Sequence, residues 1–137
     1  MILANKFGAS DLKPHLVRFM IPFILDWATA ATTLTVLEGG EHQKMKLLDV
    51  SLQNVNAALN ATEPVINIQH GGNEVVTTVD MATAMGATAA VGFTVNLDIV
   101  EKYRYLAADD ALTVQVETAD GGANSRGNML FSYEVVE

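Results

Sequence analysis

Apolar and polar side chains alternate cleanly through the last third of the chain. Phe93, Val95, Leu97 and Ile99 alternate with Thr94, Asn96 and Asp98. Leu112, Val114 and Val116 alternate with Thr113, Gln115 and Glu117, and Met129, Phe131, Tyr133 and Val135 with Leu130, Ser132 and Glu134. Successive side chains of a strand point to opposite faces, so these runs predict strands with one face buried and one in water. The polar faces hold Thr, Ser, Asn, Gln and acids in no catalytic grouping.

The earlier segments extend the pattern. Residues 16–25 predict a first strand, and Pro22 assigns it to a sheet edge because proline cannot donate to a ladder. Residues 32–37 are β-branched and alternate, and Glu38-Gly39-Gly40-Glu41 supplies a turn. The next strand starts with Met45 and Leu47 on one face and continues with Leu48, Val50 and Leu52, a change of phase that an inserted residue, a β-bulge, produces. Residues 54–63 form a polar loop closed by Pro64. Ile66 and Ile68, then Val75, Thr77 and Val79, flank His70-Gly71-Gly72-Asn73 and predict a hairpin. Residues 80–92, rich in Ala, Thr, Met and Gly, predict a loop with a short helical turn. A strand from Phe93 to Val100 follows, then a loop through Tyr103 and Tyr105 and the last two strands.

About eight short strands without a long helix predict an all-β fold, an antiparallel β-sandwich of jelly-roll or related Greek-key type. Residues 1–15 show no period and predict an extended N-terminal arm. The expected organisation is residues 1–27 as arm and first strand, and residues 28–137 as the sandwich.

Composition adds constraints. The chain has 137 residues, half of them hydrophobic, enough for a real core. It has no cysteine, which removes disulfides and zinc–thiolate sites. Its net charge of −8 argues against a nucleic-acid partner, because phosphate binding needs clustered Lys and Arg. The charge is uneven: residues 1–46 hold five basic and four acidic residues, and residues 47–137 hold three basic and twelve acidic. The apolar run Phe19–Leu25 ahead of Ala28-Thr29-Ala30 is signal-like, but Pro22 interrupts it. It falls far short of the roughly twenty residues of a membrane span, so no membrane association is expected.

Chemistry is sparse. His15, in the arm, and His42 and His70, beside turns, lack metal-ligand spacing, and His42 and His70 read as solvated turn histidines. Asp109, Asp110 and Asp120 lack the order of a calcium loop and read as turn caps. No nucleophile elbow or phosphate-binding loop occurs, and Asn60-Ala61-Thr62 is a three-residue sequon without further support. No enzyme, cofactor or metal is therefore expected. Aromatic residues crowd the N-terminal quarter, and interface centres are enriched in them. Phe7, Leu12, Leu16, Phe19, Phe23 and Trp27 are the candidate partner interface, with a core role for Phe19, Phe23 and Trp27 as the alternative. Tyr103, Tyr105, Asp109 and Asp110 are the candidate ligand-facing set.

The succession Asp80-Met-Ala-Thr-Ala-Met-Gly86, Tyr105-Leu-Ala-Ala-Asp109-Asp110-Ala-Leu112 and Gly121-Gly122-Ala-Asn-Ser-Arg-Gly127, with its final strand ending Tyr133-Glu-Val-Val-Glu, resembles small virion proteins of tailed bacteriophages over residues 45–137. The resemblance implies a head decoration, or cement, protein. Such proteins are β-sandwiches that sit as oligomers, often trimers, on the outer capsid surface and clamp neighbouring major capsid protein subunits at their junctions. The implied partners are the major capsid protein and further copies of the chain, in a virion made in the host cytoplasm. Residues 1–27 would suit an arm on the lattice, although they match the family in no detail. A carbohydrate- or receptor-binding module of a phage head fibre or tail is the alternative.

Overall fold

A computed structural model describes residues 17–28, 33–38, 43–55, 64–85, 90–119 and 126–136. The alternating segments become β1 (Arg18–Asp26), β2 (Thr33–Leu37), β3 (Met45–Asn54), β4 (Val65–His70), β5 (Asn73–Asp80), β6 (Thr94–Asn96), β7 (Tyr105–Leu106), β8 (Leu112–Thr118) and β9 (Arg126–Val135). Among the described residues one short α-helix, α1 (Met81–Met85), follows β5, and a 3-10 turn spans Glu101–Tyr103. Thr83 N–H donates to Asp80 Oδ1 at the start of α1.

The strands form two antiparallel sheets. The first has the order β1-β9-β3-β6, with β7 also paired to β3, and the second has the order β2-β8-β4-β5. Successive strands exchange sheets except at the β4–β5 hairpin and between β6 and β7, which is the winding of a jelly roll. β6 and β7 share one lane, pairing with Ser51–Gln53 and Met45–Lys46 of β3. The expected long strand from Phe93 to Val100 is thus cut short. Leu97 N–H still reaches Val50 O at 2.9 Å, but Val100 N–H bonds Val75 O of the other sheet at 2.7 Å, so the chain leaves the first sheet there.

Several local expectations hold. Among the described strands β1 is an edge strand, paired on one side with β9. The register of β3 against β9 shifts between Leu47 and Asp49, where the sequence changes phase. The β4–β5 hairpin turns through Gly71 and Gly72, both at positive φ.

The inward rows fill the core: Leu112, Val114 and Val116 from β8, Met129, Phe131, Tyr133 and Val135 from β9, and Leu47, Val50 and Leu52 from β3. Trp27, at the end of β1, is 0 % exposed. Its ring lies over Gly127, where an added Cβ would come within 2.6 Å of the indole and 2.8 Å of Leu52. The glycine is there for space. We expect Gly127→Ala to lower unfolding free energy by about 1–3 kcal/mol, the usual cost of overpacking a filled core. A urea melt measures it; an unchanged midpoint would mean that the Trp27 ring yields freely.

Candidate interaction faces

The second sheet ends its central strand on a histidine. His70 continues the inward phase of Ile66 and Ile68 and is buried. Its Nδ1 donates to the Tyr103 carbonyl at 2.9 Å, which leaves Nε2 to accept the Tyr133 hydroxyl at 2.7 Å. Phe19, Tyr133 and His70 stack in series, with centroids 5.9 and 5.8 Å apart. His70 is therefore a buried link between the sheets and not a solvated turn residue. Burial also raises the Tyr133 phenol above its ordinary value, so it stays a hydrogen-bond donor. His15 and His42 lie outside the described residues, and among the described residues no three His, Cys, Asp or Glu side chains group to hold a metal.

Phe7, Leu12 and Leu16 also lie outside the described residues. Phe19 and Phe23 are half-buried, point inward and pack against the core, and Trp27 is fully buried. Trp27 is thus a core residue, inaccessible to a partner in this structure. The solvent side of β1 belongs to the residues between them, Met20 and Ile24, which are 64 % and 66 % exposed, with Pro22.

The four ligand-facing candidates have different surroundings. Tyr103 lies half-buried under the Lys102 ammonium, 4.7 Å from the ring centroid, while Tyr105 stands on the outer face of the first sheet. Asp109 and Asp110 lie beside the hairpin turn, and the Asp110 carboxylate sits against Gly71.

The two outer faces differ in kind. The second sheet presents Thr33, Thr35, Thr113, Gln115 and Gln69 with Glu74 and Glu117. Buried Asn67 gathers the acids, its Nδ2 lying 2.7 Å from Glu74 Oε1 and 3.2 Å from both Glu117 Oε1 and Thr78 Oγ1. No Lys or Arg occurs on β2, β4, β5 or β8. The first sheet presents Met20, Pro22 and Ile24 along its edge strand β1, with Leu130 beside them on β9. At one end Lys44 and Lys46 lie 5.7 and 5.9 Å from the centroid of Tyr105, beside Glu134 and Arg18, which are 3.8 Å apart.

Two open grooves mark the surface of the described residues. One of about 550 Å³ runs between β5 and residues 95–100, with Asp80, Asp98, Asn96 and Thr83 around an apolar floor. The other, about 220 Å³, lies on the outer face of the first sheet between Pro22, Ser51, Gln53 and Asn128. Neither is lined by His70, Tyr133 or any of the four ligand-facing candidates.

No family model matches the sequence, and no curated protein matches it. Solved structures do. A chain of the acidic stable capsid structure of Helicobacter pylori bacteriophage KHP30 superposes with a TM-score of 0.59, at 12% identity, over 90% of this chain and 91% of that one. The fold is one that phage capsids contain. A chain of the capsid of Ralstonia phage GP4 gives 0.57 at 13% identity, covering 93% and 92%, and one of the cyanophage Pam1 capsid gives 0.56 at 14%, covering 87% and 84%. At such identities the shared property is the jelly-roll winding, which depends on alternation and turn chemistry more than on particular side chains.

Two outcomes are expected from the buried polar groups. Tyr133→Phe should cost about 1–3 kcal/mol at neutral pH, because Nε2 of His70 loses its donor. The raised folded pKa of Tyr133 makes the parent protein lose stability as pH climbs past the ordinary phenol value of 10.0, and the variant should lack that contribution. Asn67→Asp should lower the melting temperature at pH 7 by placing a third carboxylate beside Glu74 and Glu117, with recovery as pH falls and the acids protonate. Melts across pH 4 to 11 read both (about the range in which carboxylates and phenols titrate).

Proposed function

We propose that this chain is a structural virion protein that decorates and stabilises a bacteriophage capsid, binding as a homo-oligomer, a trimer by its family resemblance, at junctions between major capsid protein subunits on the outer surface. The observation that supports it best is the jelly roll shared nearly end to end with chains from three phage capsid structures. The action is adhesion. Each copy contributes a modest interface, and linked copies on a repeating lattice raise the effective affinity without further contacts.

The alternative, a carbohydrate- or receptor-binding module, calls for a pocket with an aromatic platform beside convergent polar groups. The larger groove has polar rim residues but no aromatic side chain in its lining.

Cosedimentation of the purified protein with empty heads of the phage that encodes it, set against a glycan array, separates the readings. The expected result is saturable binding to heads and none to glycans; the reverse would overturn the proposal. Removal of residues 1–15 should leave the sandwich folded by circular dichroism while weakening head binding. Loss of the fold would overturn the arm as a separate docking element.

A further inference from the structure

We infer that the outer face of the first sheet, formed by β1, β9, β3 and β7, is the face that docks on the capsid. Its occupant is a protein surface that is apolar opposite β1 and carries carboxylates opposite Lys44 and Lys46. This inference rests on the decoration reading and adds to it the direction in which the sandwich sits.

The first argument is where apolar surface is left in water. Among the described residues the exposed large hydrophobic side chains are Val17, Met20 and Ile24 on or beside β1, Val55, Val91 and Phe93 at the β3–β6 end, and Tyr105 on β7. All belong to strands of the first sheet or to the segments that flank them, and none to the second. Scattered apolar residues on a surface are ordinary, but Met20, Ile24 and Tyr105 stand on the outer face of the first sheet and no counterpart stands on the second, and such one-sidedness marks an interaction site.

The second argument is charge. The chain is strongly acidic, yet its described Lys and Arg residues, Arg18, Lys44, Lys46, Lys102, Arg104 and Arg126, all lie on the first sheet or in the segments leading into β3 and β7. Lys44 and Lys46 flank the exposed ring of Tyr105, which fixes an aromatic between two cations. Such an end attracts carboxylates. The second sheet of another copy would supply them poorly, because Glu74 and Glu117 are engaged with Asn67.

The third argument separates face from edge. Val135 N–H donates to Val17 O at 2.9 Å, and the register pairs Phe19 with Tyr133 and Ile21 with Phe131. In an antiparallel ladder, hydrogen-bonded pairs recur every second residue. The odd-numbered residues of β1 therefore turn their backbone groups to β9, and the even-numbered ones turn theirs to the edge that no described strand pairs. Pro22 is even-numbered and has no N–H to offer there. Strand addition at this edge is interrupted at its centre, a standard way of blunting an edge. The side chains of Met20, Pro22 and Ile24 remain as a surface to pack against.

The test measures binding to empty heads for two independent pairs of exposed substitutions, Met20→Asp with Ile24→Asp and Lys44→Glu with Lys46→Glu. A control pair, Thr33→Lys with Thr35→Lys, lies on the second sheet. Melting temperatures are checked for each, and having two pairs guards against one of them failing to fold. Both first-sheet pairs should weaken head binding about tenfold or more, as losses at interface centres do, with the control within about twofold of the parent. Added salt should weaken the parent and leave the Lys44→Glu, Lys46→Glu variant unaffected or improved. Parent-like binding by both first-sheet pairs, or loss only in the control, overturns the face while leaving decoration intact. A drop in the oligomeric order of the free protein with Met20→Asp and Ile24→Asp assigns the face to a second copy and also overturns it. Failure of the parent itself to bind heads overturns the decoration reading and this inference with it.

Discussion

β9 is the element on which the rest of the sandwich depends. It is paired on both sides along its length, to β1 from Arg18 to Asp26 and to β3 from Met45 to Asn54. A slip of one residue in either ladder would move a whole inward row to the outside, so both registers must be held at once. The inward row of β9 does this through three contacts of different kinds. Gly127 leaves room for Trp27, Met129 and Phe131 fill the space between the sheets, and Tyr133 reaches His70 across them. The outward row, Asn128, Leu130, Ser132 and Glu134, is part of the exposed face of the same sheet. Core and candidate docking face are thus two sides of one strand.

This coupling explains which parts of the molecule were legible from sequence. Where one side of a strand is apolar and the other polar, as in Leu112–Thr118, alternation assigns both strand and orientation. The bulge near Leu48 and the edge position of Pro22 were readable because each breaks a simple rule of phase or hydrogen bonding. β1 was harder. Both of its faces are apolar, with Phe19, Ile21, Phe23 and Leu25 in one row and Met20, Pro22 and Ile24 in the other. Periodicity cannot say which row is buried, and aromatic content pointed to the row that packs inward. The deciding fact is tertiary: the odd row meets Tyr133 and the core.

His70 shows the opposite case, a signal present but outweighed by its surroundings. Its place beside two glycines made it look like a turn residue, yet it is in phase with Ile66 and Ile68, and that phase predicts burial. Asn67 carries no comparable signal. It sits on the outer side of β4 and is covered because Glu74, Thr78 and Glu117 close over it from β5 and β8. Such a cluster arises from cross-strand neighbours in the finished sheet, which no local pattern encodes.

The sidedness of the fold gives the low sequence identity to the phage capsid chains a physical meaning. A jelly roll constrains inward rows and turns, and many sequences satisfy those constraints. The outer rows are released from that duty, and here they diverge sharply. The second sheet spends its outward positions on Thr, Gln and acids that solvate the surface and repel polyanions. On the first sheet, among polar positions of β3 and β9, they carry Met20, Pro22 and Ile24 on β1 and Lys46 on β3, and a row of large apolar side chains is a poor choice for a surface that only meets water. A salt link of 3.8 Å from an exposed Arg18 to Glu134 contributes little to stability, and neither do solvent-facing Met20 and Ile24. Stability does not account for that outer row; the docking proposed for this face does. The weak per-copy energy such a small patch supplies is no objection on a lattice, where neighbouring copies share the task.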